Sequence, residues 1–148
     1  TKYKILFFLL SIYIFCLILF HIVNLNRDIF YIIIFVSFFN DTIAYLSGKK
    51  IGGPPIIPSI SPNKTWSGTT ISFFLSTIVL FLLDFNLILS AILSIFYFFG
   101  DIFFSYIKRN LNIKDFSLSL GGHGGVLDRL DSMFFVTIIF QIYLVKMI

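Results

Sequence analysis

Residues 105–131, SYIKRNLNIKDFSLSLGGHGGVLDRLD, pack basic residues, glycines and carboxylates into one segment between two apolar runs. Lys108, Arg109, Lys114 and Arg129 supply positive charge, while Asp115, Asp128 and Asp131 supply hard oxygen ligands. Both kinds of charge together suit a metal-bound polyphosphate, because cations neutralise phosphate oxygens and carboxylates hold the Mg²⁺ that bridges them. Gly121-Gly122 and Gly124-Gly125 bracket His123, so the backbone there can take positive φ and approach a ligand closely.

Two further acids lie inside apolar runs, Asp41 and Asp101. Insertion scales charge about 2.5–3.5 kcal/mol for an Asp at the centre of a spanning helix, so such residues need a reason to be there. For Asp41 the alternatives are the N-cap of a broken helix, a partner for a neighbouring lysine, or function. Offsets of four and seven residues put Asp101, Ser105 and Lys108 on one helical face. A third polar cluster, Ser61-Pro62-Asn63-Lys64-Thr65-Trp66-Ser67-Gly68, gathers hydroxyl and amide donors around one lysine. It lacks the G-x-x-x-x-G-K spacing of a P-loop. Thr65 or Ser67 could cap a following helix there, with Trp66 as an interfacial anchor.

The elements that must position these groups are membrane helices. At 58% hydrophobic and 12% charged residues, with a mean hydropathy of +0.99, the chain falls outside the range of soluble globular domains. Cys16 is the single cysteine, which excludes a disulfide framework or a thiol-rich metal site. The net charge of +4 is divided among separate loops and forms no stripe, so nucleic acid is not the expected partner. Apolar runs at 5–23, 29–47, 69–83, 87–107 and 133–148 predict an all-α, polytopic transmembrane bundle of about five spanning helices. The run at 69–83 is marginal for a span. All four prolines fall within 48–68, where the chain must leave the membrane.

Five spans place residues 48–68 and 108–129 on the same side as the N-terminus, two loops that would build one active site. Nine of the eleven basic residues then share that side, which the positive-inside rule makes cytoplasmic. Asp41 stands seven residues before Gly48, and Asp101 seven before Lys108. Each acid is therefore about 10 Å below the same surface. With no internal repeat or low-complexity linker, residues 1–148 read as a single integral-membrane catalytic domain. Ion-coupled transport is the alternative that intramembrane acids also suit, although few polar groups offer a path to the opposite side.

Ser105, Lys108-Arg109, Lys114-Asp115, His123-Gly124-Gly125, Asp128-Arg129 and Asp131, in that order and spacing, resemble the signature of the phosphatidate cytidylyltransferases. Gly121 stands where that family commonly has proline. Residues 61–68 resemble its second block, usually Ser-Pro-Lys-Lys-Thr-Trp-Glu-Gly, with departures at Asn63 and Ser67. The resemblance implies transfer of CMP from CTP to phosphatidic acid, with membrane lipid as the surroundings. It implies catalytic roles for Asp101, Lys108, Arg109, Asp128 and Arg129, and substrate contacts from Ser61, Lys64, Thr65, Ser105, His123, Gly124 and Gly125. Asp101 and Asp128 would hold Mg²⁺, with Asp41, Ser105 and Asp131 as further candidates and a second, monovalent cation such as K⁺ nearby. His123 is then either an orienting donor or a loop residue, and Asp131 either a ligand or a helix cap. Another CTP-dependent lipid transferase, or a polyprenol kinase, is the neighbouring alternative. Family members are usually longer upstream, so the chain reads either as the C-terminal part of that length or as a reduced member needing a homodimer to complete its lipid groove.

Overall fold

The computed structural model describes residues 27–110 and 132–147, together with nine helical positions between 9 and 24. Among the described residues from Arg27 onward, four helices and one small hairpin follow in order: α1 (Arg27–Ile51), β1 (Pro55–Ile57), β2 (Ser61–Thr65), α2 (Trp66–Leu82), α3 (Leu87–Asn110) and α4 (Met133–Met147). The bundle is a ring of neighbours in which α1 packs on α2, α2 on α3, α3 on α4, and α4 returns to α1. α1 and α3 are long and apolar enough to cross a bilayer. Only 22% and 39% of their apolar windows are buried, so their apolar faces look outward, unlike those of a core helix in a soluble protein. With Phe74, Leu82, Ile88 and Phe99 also exposed, this is a membrane protein. α2 has 17 residues and is shorter. At 1.5 Å per residue it reaches about 25 Å, less than the roughly 30 Å hydrocarbon core.

α1 runs unbroken through Asn40, Asp41 and Thr42, which removes the broken-helix explanation of Asp41. The all-helical expectation needs one amendment, since residues 55–65 pair as an antiparallel hairpin. Its chemistry follows from the prolines. Pro58 occupies the second position of a turn closed by Ile60 N–H donating to Ile57 O at 3.1 Å, where a fixed φ is favourable. Pro55 and Pro62 lie in a sheet of two strands, where every strand is an edge and a missing N–H is tolerated. Thr65 then caps α2, its Oγ1 accepting from Gly68 N–H at 3.2 Å, so the capping role falls to Thr65. Ser67 Oγ donates instead to the Gly52 carbonyl and ties the helix start to the loop before the hairpin. After α2, Asp84 takes φ 66°, and Asn86 Oδ1 accepts from Ile88 N–H at 2.9 Å to open α3.

Polar bonds inside the bundle fix helix register where apolar packing alone would let helices slide. Tyr97 Oη donates to Ile33 O at 2.9 Å, joining α3 to α1. Ser76 Oγ donates to Asn40 Oδ1 at 3.1 Å, joining α2 to α1. Ser37 and Ser132 hydroxyls meet at 2.5 Å beside the start of α4. Phenylalanines form much of the α3–α4 seam: Phe103 stacks on Phe134 at 6.0 Å and meets Phe135 edge-on at 5.3 Å.

α1 and α2 touch backbone to backbone at Gly68. A Cβ built there would stand 2.5 Å from Ala44 O and 3.3 Å from Gly48 Cα, so the helices could not keep this distance. Gly68→Ala should therefore lower stability by about 1–3 kcal/mol, as overpacking does. Thermal unfolding of the detergent-solubilised protein checks this, and an unchanged midpoint would contradict the close crossing.

Candidate functional site

The hairpin leans over the ends of α1 and α3, with Arg109 Nε donating to Ile60 O at 3.0 Å across its turn. That contact places β2 above a cleft of about 270 Å³, lined by Asn40, Asp41, Tyr45, Ser61, Lys64 and Asp101 among others. Asp41 comes from α1, Asp101 from α3 and Lys64 from β2, so three separate elements converge on one space. Lys64 and Asp101 form an ion pair. Their side chains are 22% and 26% exposed, which shields the pair from most solvent screening. The Lys64 ammonium nitrogen itself is buried.

The two intramembrane acids predicted to lie level therefore do share one site. Ser61 and Thr65 line the same cleft. The Thr65 hydroxyl is engaged with Gly68 N–H and, at 3.1 Å, with Ser67 Oγ. Ser105 and Lys108 stand on α3 one and two turns beyond Asp101, both half-buried and not among the residues lining the cleft. Arg109 is exposed, and its described bond goes to the hairpin turn. Asp128, Arg129, Asp131, His123, Gly124 and Gly125 lie outside the described residues, as do Lys114 and Asp115.

Several lining residues carry no motif of their own. Asn40, Asp41 and Tyr45 put polar groups on one edge of α1 facing the cleft, with the small Ala44 one turn from Asn40 beside them. Thr69 and Ser72, three apart on α2, form the facing wall. That periodic polarity within apolar helices is the signal that could have found them. Asn63, one of the two departures from the family block, also lines the cleft.

Chemically the site offers two carboxylates, neutral oxygens from Asn40 and Ser61, and one buried ammonium. Among the described residues, no three His, Cys, Asp or Glu side chains cluster as a metal cage. Two carboxylates with neutral oxygens nevertheless fit Mg²⁺, which takes one or two acids and completes its shell with water and substrate phosphates. Lys64 can exchange Asp101 for a phosphate oxygen, since both are anionic acceptors.

A model of the cytidylyltransferase family matches residues 2–147. The phosphatidate cytidylyltransferase of Staphylococcus haemolyticus is 40% identical over 122 residues, covering 76% of this chain and 47% of that protein. The enzyme of the same name from Rickettsia bellii is 42% identical over 115 residues, covering 63% and 47%. That of Rickettsia conorii is 37% identical over 115 residues, covering 67% and 50%. The chain spans about half the length of the curated relatives it matches.

Proposed function

The chain belongs to the cytidylyltransferase family, and from that membership we propose that it transfers CMP from CTP to phosphatidic acid, giving CDP-diacylglycerol and pyrophosphate. The observation that carries this reading is the Lys64–Asp101 pair beside Asp41 in one cleft at the end of the membrane helices. A phosphate oxygen of the lipid attacks the α-phosphorus of CTP, a new P–O bond forms, and the bond to the β-phosphate breaks to release pyrophosphate. The attacking oxygen is already largely ionised near neutral pH, so no strong general base is required. Positioning and charge neutralisation do most of the work in such transfers.

In this reading Asp101, Asp41 and, from the segment outside the described residues, Asp128 would hold Mg²⁺, which when bound offsets charge on the triphosphate. Lys64 leaves Asp101 for a phosphate oxygen as CTP enters, and Lys108, Arg109 and Arg129 neutralise the remaining phosphate charge. Ser61 and Ser105 donate to substrate oxygens, with Thr65 holding the lysine's strand to α2. Five spans, a site facing the cytoplasm, a monovalent cation beside Mg²⁺, and pairing with a second copy complete the proposal. The distribution of basic residues supports the orientation.

The test is incubation of the reconstituted chain with phosphatidate and CTP labelled either in cytidine or in the γ-phosphate. Cytidine label should enter the lipid fraction, dependent on Mg²⁺. Label from the γ-phosphate alone would identify a CTP-dependent kinase instead, and Mg²⁺-dependent uptake without CTP would favour transport.

A further inference from the structure

The polar cleft adjoins a second space. Thr69, Ser72 and Phe98 line the cleft and also line an apolar hollow of about 450 Å³ between α2 and α3, walled by Phe73, Phe74 and Ile95. Ser94 lines that hollow too. It is 1% exposed, and its hydroxyl oxygen is buried with no hydrogen-bond partner among the described residues.

Among the described residues, the other buried hydroxyls are engaged. Ser72, Thr77, Ser90 and Thr137 donate to carbonyls of their own helices or helix starts, Ser76 donates to Asn40, and Ser37 pairs with Ser132. A serine in a helix normally finds the carbonyl one turn back. A buried hydroxyl that does not is costly unless something else supplies the partner. Ser94 stands seven residues before Asp101 on α3, about 10 Å along the helix axis. From cleft to hollow the chemistry therefore runs from charge, through one hydroxyl donor, to aromatic and aliphatic walls. A glycerophospholipid runs in the same order, from phosphate through ester carbonyl to acyl chain.

On the reading that the chain acts on phosphatidate, we infer that one acyl chain of the lipid substrate lies in the α2–α3 hollow, with Ser94 Oγ donating to its ester carbonyl while the phosphate occupies the cleft. Another hollow of about 480 Å³, lined by Ile102, Phe103 and Phe135, shares no residue with the cleft and has no buried hydroxyl on its wall. The α2–α3 hollow, in contrast, is continuous with the cleft through Thr69, Ser72 and Phe98.

Phosphatidate carrying a diazirine in mid-chain, photolysed with the protein in phosphatidylcholine nanodiscs, tests this without needing turnover. Adducts should map to Phe73, Phe74 or Ile95 and be competed by excess unlabelled phosphatidate but not by phosphatidylcholine. Ser94→Ala removes a donor that no described protein group uses, so its unfolding midpoint should not fall. The phosphatidate concentration that halves labelling should nevertheless rise about three- to tenfold, the worth of one hydrogen bond. Adducts confined to Ile102 or Phe135 with none on Phe73, Phe74 or Ile95, equal competition by phosphatidylcholine, or an unchanged midpoint of competition would each overturn the inference. Specific labelling of the hollow without cytidine transfer would keep the lipid site and remove the proposed reaction; transfer with adducts elsewhere would do the reverse.

Discussion

Asp101→Asn should lower Mg²⁺-dependent cytidine transfer by about a hundred- to a thousandfold, the range seen when one preorganised electrostatic group is removed from an active site. The substitution keeps the size and planarity of the side chain, so the packing of α3 against its neighbours should persist. What it removes is the charge that pairs with Lys64 in the resting cleft and that would face the metal when CTP is bound. Initial rates at saturating CTP and Mg²⁺, with elution volume and helical circular dichroism in the same detergent, separate lost chemistry from lost fold. A variant within tenfold of the parent would take Asp101 out of the metal assignment.

Lys64→Gln should act differently. Losing one charge-assisted hydrogen bond to phosphate, about 1.5–3 kcal/mol, corresponds to roughly a ten- to hundredfold rise in KM for CTP. The same change strands a partly buried carboxylate, so the variant should also unfold more easily than the parent. Adding Asp101→Asn removes that carboxylate charge. The double variant should recover stability while remaining inactive, and the double-mutant cycle gives the coupling directly. Additive stability effects would mean that the pair contributes nothing to the resting state.

That Asp41 and Asp101 line one cleft was foreshadowed by counting residues, because helix rise is constant and both acids sit in unbroken helices. Helix boundaries around residues 84–86 were legible for a similar local reason, a polar turn between apolar runs. The pairing within 55–65 was not, since four prolines argue against helix without specifying which residues face each other; the turn at Pro58 and the long-range bond from Arg109 decide that. Nor could spacing predict that Lys64 reaches Asp101, 37 positions away, because a returning strand brings it there. Ser67, a departure from the family block, closes a bond to Gly52 that only the folded loop creates. The hollow beside Ser94 depends on how two helices splay, and no single-helix pattern encodes that.

β2 ends at Thr65 and α2 begins at Trp66 with no intervening residue, so the backbone carrying Lys64 is continuous with a packed helix. Reorienting that backbone would mean tilting α2 against the glycine crossing. Handing the ammonium from carboxylate to nucleotide should therefore proceed by rotation about side-chain bonds alone. On the proposed reading, CTP should then be engaged by Lys64 without any opening of the hairpin, the lysine's long side chain supplying all the movement the exchange needs.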